Sequence, residues 1–449
     1  MRNSSVKKEI MKRMSFIVFV MVVLAAWIVP GYSLDTAFDA QYRVRTITLS
    51  NPVDFNDDNP ADTDGWIDQR FRLGIKLTEA PVSGYVQLQL GDEGGVNGSH
   101  TWGVSAATNT SVIFRQAYLD FPVGPVGIRA GRTYASHEFL AGGMFENIAD
   151  RYIISYKVSP ELWGNFIHAK ARESSLVSAA NDNDRNIYNL GVNWKPQGRT
   201  YDAAARVYYV RDGGQSLTQI GGSSATGEGK TEAFWLTGQG NIAAGPANIY
   251  LSAAFLTGTS EPRTPTAANP DLDLSGYAAH IDVNVAPGPF KAGFVAGIGS
   301  GDDNATDDKL ETFFAPGGAS YIQSHIFFQN GENTYATTIL STANLNLQNG
   351  KLETLSNVTW AGLYGDFKAT PDLTLGARIA TFMKTEELTG TDDSIGNEVD
   401  LTANYMIYKN LSLLAFAAWF IPDDGITGGG TATDDTVAEY YARLQWEWQ

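Results

Sequence analysis

Cysteine is absent from this 449-residue chain, which removes disulfides, thiolate metal sites and cysteine nucleophiles together. Histidine is nearly absent: the five are His100, His137, His168, His280 and His325, each in a different segment. No G-x-S-x-G, H-E-x-x-H or phosphate-binding glycine loop occurs. With no nucleophile–base constellation, an enzyme is not expected. Cations are also in deficit. Residues 1–33 hold five of the 32 basic residues and one of the 49 acidic ones, so 27 basic residues face 48 acidic ones beyond them, a net charge near −21. Nucleic acid is therefore excluded as a partner, since phosphate binding needs a basic face.

Long hydrophobic runs are missing too, with one exception. Arg2, Lys7, Lys8, Lys12 and Arg13 precede the uncharged run Met14–Val29, which ends at Pro30-Gly31-Tyr32-Ser33. Its sixteen residues fall short of the roughly 20 that a spanning helix needs. Residues 1–33 read as a secretory signal peptide cut after Ser33, with a membrane anchor as the rival reading. Any spanning by residues 34–449 must then be done by strands.

What the chain does contain is aromatic and glycine-rich: ten Trp, 20 Tyr, 22 Phe and 46 Gly, against 17 Pro. A period of two recurs from end to end. Phe38, Ala40, Tyr42 and Val44 alternate with Asp39, Gln41, Arg43 and Arg45, and Tyr440, Ala442, Leu444, Trp446 and Trp448 alternate with Tyr441, Arg443, Gln445, Glu447 and Gln449. Half-polar strands this regular belong to an antiparallel sheet. Leu411–Ile421 is apolar on both faces but is bounded at strand length by Asn410 and Pro422, and is read as a strand.

Connection lengths alternate as well. Short turns fall at 79–83, 122–125, 159–162, 195–200, 243–246, 286–289, 370–373 and 408–411. Long polar stretches lie near 51–65, 91–110, 134–150, 173–184, 212–230, 257–272, 300–352, 386–396 and 422–436. Eight short and nine long connections imply eighteen strands, with sixteen as the alternative count. The expected fold is all-β: a transmembrane antiparallel β-barrel with short periplasmic turns and long external loops. Apolar phases face lipid and polar phases face the lumen, which places Trp446 and Trp448 in an interfacial aromatic girdle.

The signal peptide, the strands and the terminal alternating aromatics resemble those of Gram-negative outer-membrane porins, although Gln449 stands where that family usually ends on an aromatic residue. Phe114–Arg132, "FRQAYLDFPVGPVGIRAGR", is similar to the strand–turn–strand ahead of the third loop in general porins. Gly299–Phe314, "GSGDDNATDDKLETFF", is similar in character to an acidic loop of the eighteen-strand alginate-export group. The resemblance implies a bacterial outer-membrane location among lipid and lipopolysaccharide, a passive channel for small hydrophilic solutes, a homotrimer as candidate assembly, and a third long loop folded into the pore.

That loop is 134–150. Phe139, Leu140, Met144, Phe145 and Ile148 favour burial, and inward folding would leave Glu138, Glu146 and Asp150 as an acidic lip. The alternative is a surface loop that caps the rim or meets a neighbouring subunit. Facing the lip, Arg43, Arg45, Arg70, Arg72 and Arg129 share the inward phase of their strands, with Lys76, Lys170 and Arg172 as further members, and thirteen of the sixteen arginines past residue 33 lie at or before Arg211. Such a basic wall would give a transverse field that favours charged solutes. Alternatively, these arginines pair with Asp39, Asp68 and Asp120 and select nothing. His168 and His280 also fall on inward phases.

No cofactor is expected. The acidic stretches 54–65 and 301–309 carry oxygen ligands suited to calcium, but neither fits the EF-hand register, and solvated charge is the preferred reading. The function expected is a porin that passes small hydrophilic, charged solutes. A barrel that sheathes a partner protein, or that displays adhesive loops, is the alternative.

Overall fold

The computed structural model describes residues 34–51, 63–92, 100–101, 110–137, 145–172, 184–214, 229–262, 265, 271–304, 307–314, 326, 357–386, 392–427 and 435–448. Eighteen long strands follow one another: β1 (Asp35–Ser50), β2 (Thr63–Glu79), β3 (Val82–Asp92), β4 (Thr110–Val123), β5 (Val126–His137), β6 (Phe145–Lys157), β7 (Leu162–Arg172), β8 (Arg185–Trp194), β9 (Tyr201–Asp212), β10 (Gly229–Ala244), β11 (Ala247–Pro262), β12 (Leu272–Val285), β13 (Phe290–Gly299), β14 (Val358–Lys368), β15 (Leu373–Met383), β16 (Ser394–Tyr408), β17 (Leu411–Pro422) and β18 (Val437–Trp448). Each pairs antiparallel with the next. β1 then pairs with β18, Ala40 opposite Trp448 and Ser50 opposite Ala438, so the sheet closes. The eighteen-strand reading holds, and Leu411–Ile421 is strand.

With strands about 4.8 Å apart and tilted about 40°, eighteen of them enclose a cylinder roughly 36 Å across between opposite backbones. Wall side chains alone cannot fill that width. Something else must narrow the lumen.

The period of two sorts the faces. On β1 the residues Arg43, Arg45, Ile47 and Leu49 are buried while Phe38 and Tyr42 are exposed. The same split runs round the wall, with Leu190, Phe255 and Leu363 each at least 60% exposed on the outer face. An apolar belt that continuous far exceeds what a monomer keeps in water, and it requires lipid. Trp446 and Trp448 lie on this outer phase at the short-turn end, Trp446 opposite Leu411 and Tyr42. No helix among the described residues is long and apolar enough to cross a membrane.

Two irregularities matter for the lumen. The β3–β4 register shifts between Gln87 and Leu88, which oppose Gln116 and Phe114, and leaves Arg115 as an extra residue. Such a bulge re-aims a side chain. The second lies beyond β13: Lys309–Leu310 runs parallel beside Asp273–Leu274 of β12, and the chain then turns inward rather than away.

Closed pairing leaves no edge at which melting can begin. The protein should therefore migrate differently on a gel before and after boiling, and identical mobility would contradict closure. Replacing Trp446 and Trp448 by Asp should cost about 1–3 kcal/mol each in lost apolar transfer and lower the level of assembled barrel. Normal levels would mean that the outward phase is wrong.

Candidate functional site: an arginine wall in the lumen

β1 and β2 place four arginines on the inner face. Arg43 lies directly opposite Arg70, and Arg45 opposite Asp68. Across the closing seam Arg45 also faces Arg443. Like charges directly opposite one another destabilise a sheet, so two such pairs side by side break a local rule, as functional sites do. Arg70 lies within electrostatic reach of Arg43, Arg72, Arg115 and Arg45.

The partners of these arginines divide the wall in two. Arg45 is buried and donates from Nε to Asp68 Oδ1 at 2.9 Å and from Nη2 to Oδ2. Arg129 donates to both oxygens of Asp120, at 2.7 and 2.8 Å, and its guanidinium lies 4.1 Å over the Tyr118 ring. These bidentate pairs cancel charge while fixing geometry. Arg70 and Arg72 are held by glutamines instead. Arg70 Nη2 donates to Gln41 Oε1 at 2.9 Å, and Arg72 Nε to Gln89 Oε1 at 2.7 Å. Arg115 Nη1 likewise donates to Gln87 Oε1 at 2.9 Å. A neutral amide oxygen orients a guanidinium without neutralising it. Asp39 accepts from Tyr85 Oη at 3.0 Å.

Acids line part of the inner wall of β16 and β18. Glu398, Asp400 and Glu439 are buried on the inward phase, with Asp400 opposite Arg378. The element that narrows the lumen follows β13. Ser300 Oγ donates to Glu311 O at 2.6 Å, Phe313 N donates to Ser300 O at 3.0 Å, and Trp235 Nε1 on β10 donates to Phe314 O at 2.7 Å. Gly276 on β12 makes room, since a Cβ there would stand 3.0 Å from Phe313 Cα. Ile326 N donates to Glu398 Oε1 at 2.9 Å. Chain that leaves the wall at β13 thus touches β10 on one side and β16 on the other, strands a third of the circumference apart, inside the barrel.

No protein-family model matches the sequence, and no curated protein does. Solved structures with a similar backbone include a BenF-like porin from Pseudomonas fluorescens Pf-5, at 12% identity and TM-score 0.54, covering 92% of this chain and 98% of that one. OpdK from Pseudomonas aeruginosa with vanillate matches at 10% identity and TM-score 0.54, with the same coverage. OccK2 (OpdF) from Pseudomonas aeruginosa in complex with glucuronate matches at 12% and 0.54, covering 92% and 96%. The chain has the fold of the outer-membrane porins.

Within this porin fold Asp150 does not stand where the sequence suggested. Tyr134–His137 and Phe145–Asp150 pair in register as the upper ends of β5 and β6, leaving only residues 138–144 between them. Glu138 lies outside the described residues. Glu146 is strand, opposite Ser136. Asp150 is on the outward phase, two-thirds exposed and 3.6 Å from Arg132. Phe139, Leu140 and Met144 also lie outside the described residues. Lys170 and His168 are outward too: Lys170 pairs with Asp184 at 2.9 Å, and His168 stacks on Tyr188 at 4.7 Å. His280 is inward and buried, as its phase implied.

Arg115 was missed because only the bulge aims it inward, and the 309–314 segment because its inward turn depends on Trp235, 79 residues away in sequence. Of the acidic stretches, 54–62 is outside the described residues. At the other, Asp302 and Asp303, with Glu311 just beyond it, bring carboxylate oxygens within 4.8 Å of one another. That donor set suits calcium, though Asp302 Oδ1 already accepts from Asn304 N at 3.0 Å.

The two classes of arginine respond differently to mutation. Asp68→Ala strands a buried guanidinium and should cost about 3–5 kcal/mol of barrel stability in urea unfolding. Gln89→Leu beside the more open Arg72 should cost under about 1.5 kcal/mol. Equal losses would refute the division.

Proposed function

We propose that this chain is a passive outer-membrane channel whose basic wall favours small hydrophilic anions, carboxylates foremost. The observation that carries this reading is the bonding of Arg70 and Arg72 to glutamine oxygens, which leaves two oriented guanidiniums on one side of a narrowed lumen. A planar fork so held matches a carboxylate bidentately. Vanillate and glucuronate, found with two proteins of this fold, are both carboxylates. A sheath for a partner protein is disfavoured, because such a barrel needs an open bore and here Phe313, Phe314 and Ile326 sit inside, each buried. In this reading the wall orders and guides a solute that leaves unchanged.

Liposome swelling separates charge from size, since glucuronate and glucose differ little in bulk. The protein should admit glucuronate faster than glucose. Arg70→Gln with Arg72→Gln should slow glucuronate about tenfold and leave glucose unchanged, while the buried Arg45–Asp68 pair keeps the barrel folded. Equal slowing of both solutes would make the arginines structural.

A further inference from the structure

The outer wall carries a second organised charge, unrelated to solute passage. On the outward phase of β6–β10 one registered row is aromatic: Tyr152, His168, Tyr188, Tyr209 and Phe234 lie opposite one another strand by strand. The rings of the last four stack in sequence, at 4.7, 5.9 and 4.6 Å between centroids. Toward the short turns the same phase continues in Ile154, Phe166, Leu190, Val207 and Leu236, all exposed or half-buried and apolar. One step toward the long loops it becomes Asp150, Lys170, Asn186, Arg211 and Glu232, again in register. Apolar wall, aromatic row, polar row is the order of side chains across a membrane–water boundary.

The cations on this boundary are confined to one sector. Among the described residues, the lysines and arginines on the regular outward phase of the barrel strands are Arg132, Lys170, Arg211 and Lys230, all on β5–β10. Each is more than a third exposed and pairs with an acid: Asp150, Asp184, and Glu232, which Arg211 and Lys230 share at 3.7 and 3.0 Å. Among the described residues, four cations thus share three carboxylates in these ion pairs, in a chain whose net charge is −17. Exposed pairs of this kind contribute little, so a stronger anion can recruit the cations. A phosphate is such an anion, and it is the charged group that an outer-leaflet lipid presents at this depth.

We infer that the polar row from Arg132 to Lys230 is a seat for the phosphates of a lipid A-type glycolipid, whose acyl chains lie along the apolar wall below. The inference rests on the outer-membrane reading above. It also assigns this sector to lipid, so that assembly into a homotrimer would have to use another face.

The test uses the mature barrel in an uncharged detergent, with binding read by native mass spectrometry and thermal unfolding. The probes are bisphosphorylated lipid A, the same lipid without phosphates, and inorganic phosphate alone. Bisphosphorylated lipid A should bind tightest and raise the unfolding temperature. Lys170→Gln, Arg211→Gln and Lys230→Gln together should weaken it on the order of a hundredfold and leave single-channel conductance unchanged. Unchanged affinity in that variant, equal binding of the phosphate-free lipid, or equal stabilisation by inorganic phosphate would each overturn the inference. So would a wild-type oligomer that the variant dissociates with lipid binding intact, because the row would then be a protein interface. Should the triple variant fail to fold, Asp150→Asn with Glu232→Gln releases the cations from their carboxylates and must raise lipid A affinity; no increase overturns the inference equally. Because conductance is read separately, loss of the lipid site leaves the channel reading standing, and a barrel that binds lipid without conducting fails only the latter.

Discussion

A bilayer supplies no hydrogen-bond partner to a backbone amide, and every other feature of this chain is arranged around that deficit. The pairing of β1 with β18 closes the sheet so that all eighteen strands satisfy their ladders internally. Closure then forces one side chain in two outward and the next inward. The outward set must tolerate lipid. The inward set is free to carry charge, because a lumen about 36 Å between backbones admits water wherever the chain itself does not fill it.

Inside, the placement of charge outweighs its total. The chain as a whole is acidic, yet exposed charges act over only about 10 Å at 0.1 M salt. What a solute meets is the local wall. Arg70 and Arg72 reach it with their charge intact because glutamines hold them, whereas Arg45 and Arg129 are neutralised by Asp68 and Asp120. Glu398, Asp400 and Glu439 lie beside these arginines across the β1–β18 seam, on β16 and β18, and Ile326 N donates to one of them, Glu398.

The wall was legible in the sequence because a period of two and a closed register translate directly into facing. Arg43, Arg45, Arg70, Arg72, Arg129 and His280 point inward for that reason, and the alternation of short and long connections yields the strand count. The legibility ended where facing depends on something other than parity. Arg115 turns inward at a bulge that no local residue announces. Asp150 and Lys170 looked like lumen residues only while residues 134–150 were read as a loop and the phase of β7 was unanchored. The element that enters the lumen is settled by contacts between distant strands, Phe314 with Trp235 and Ile326 with Glu398. Apolar content could not distinguish an inward loop from strand at 134–137 and 145–150.

The central claim is that an open, narrowed barrel selects by the sign of the charge on its wall. The measurement that bears on it most directly is the reversal potential of the mature protein in a planar bilayer, under a tenfold gradient of potassium chloride with 0.1 M on the dilute side. The account predicts discrete conductance steps and a reversal potential whose sign reports chloride passing faster than potassium, despite the acidity of the chain. A potential of the opposite sign, or no conductance steps at all, would contradict it.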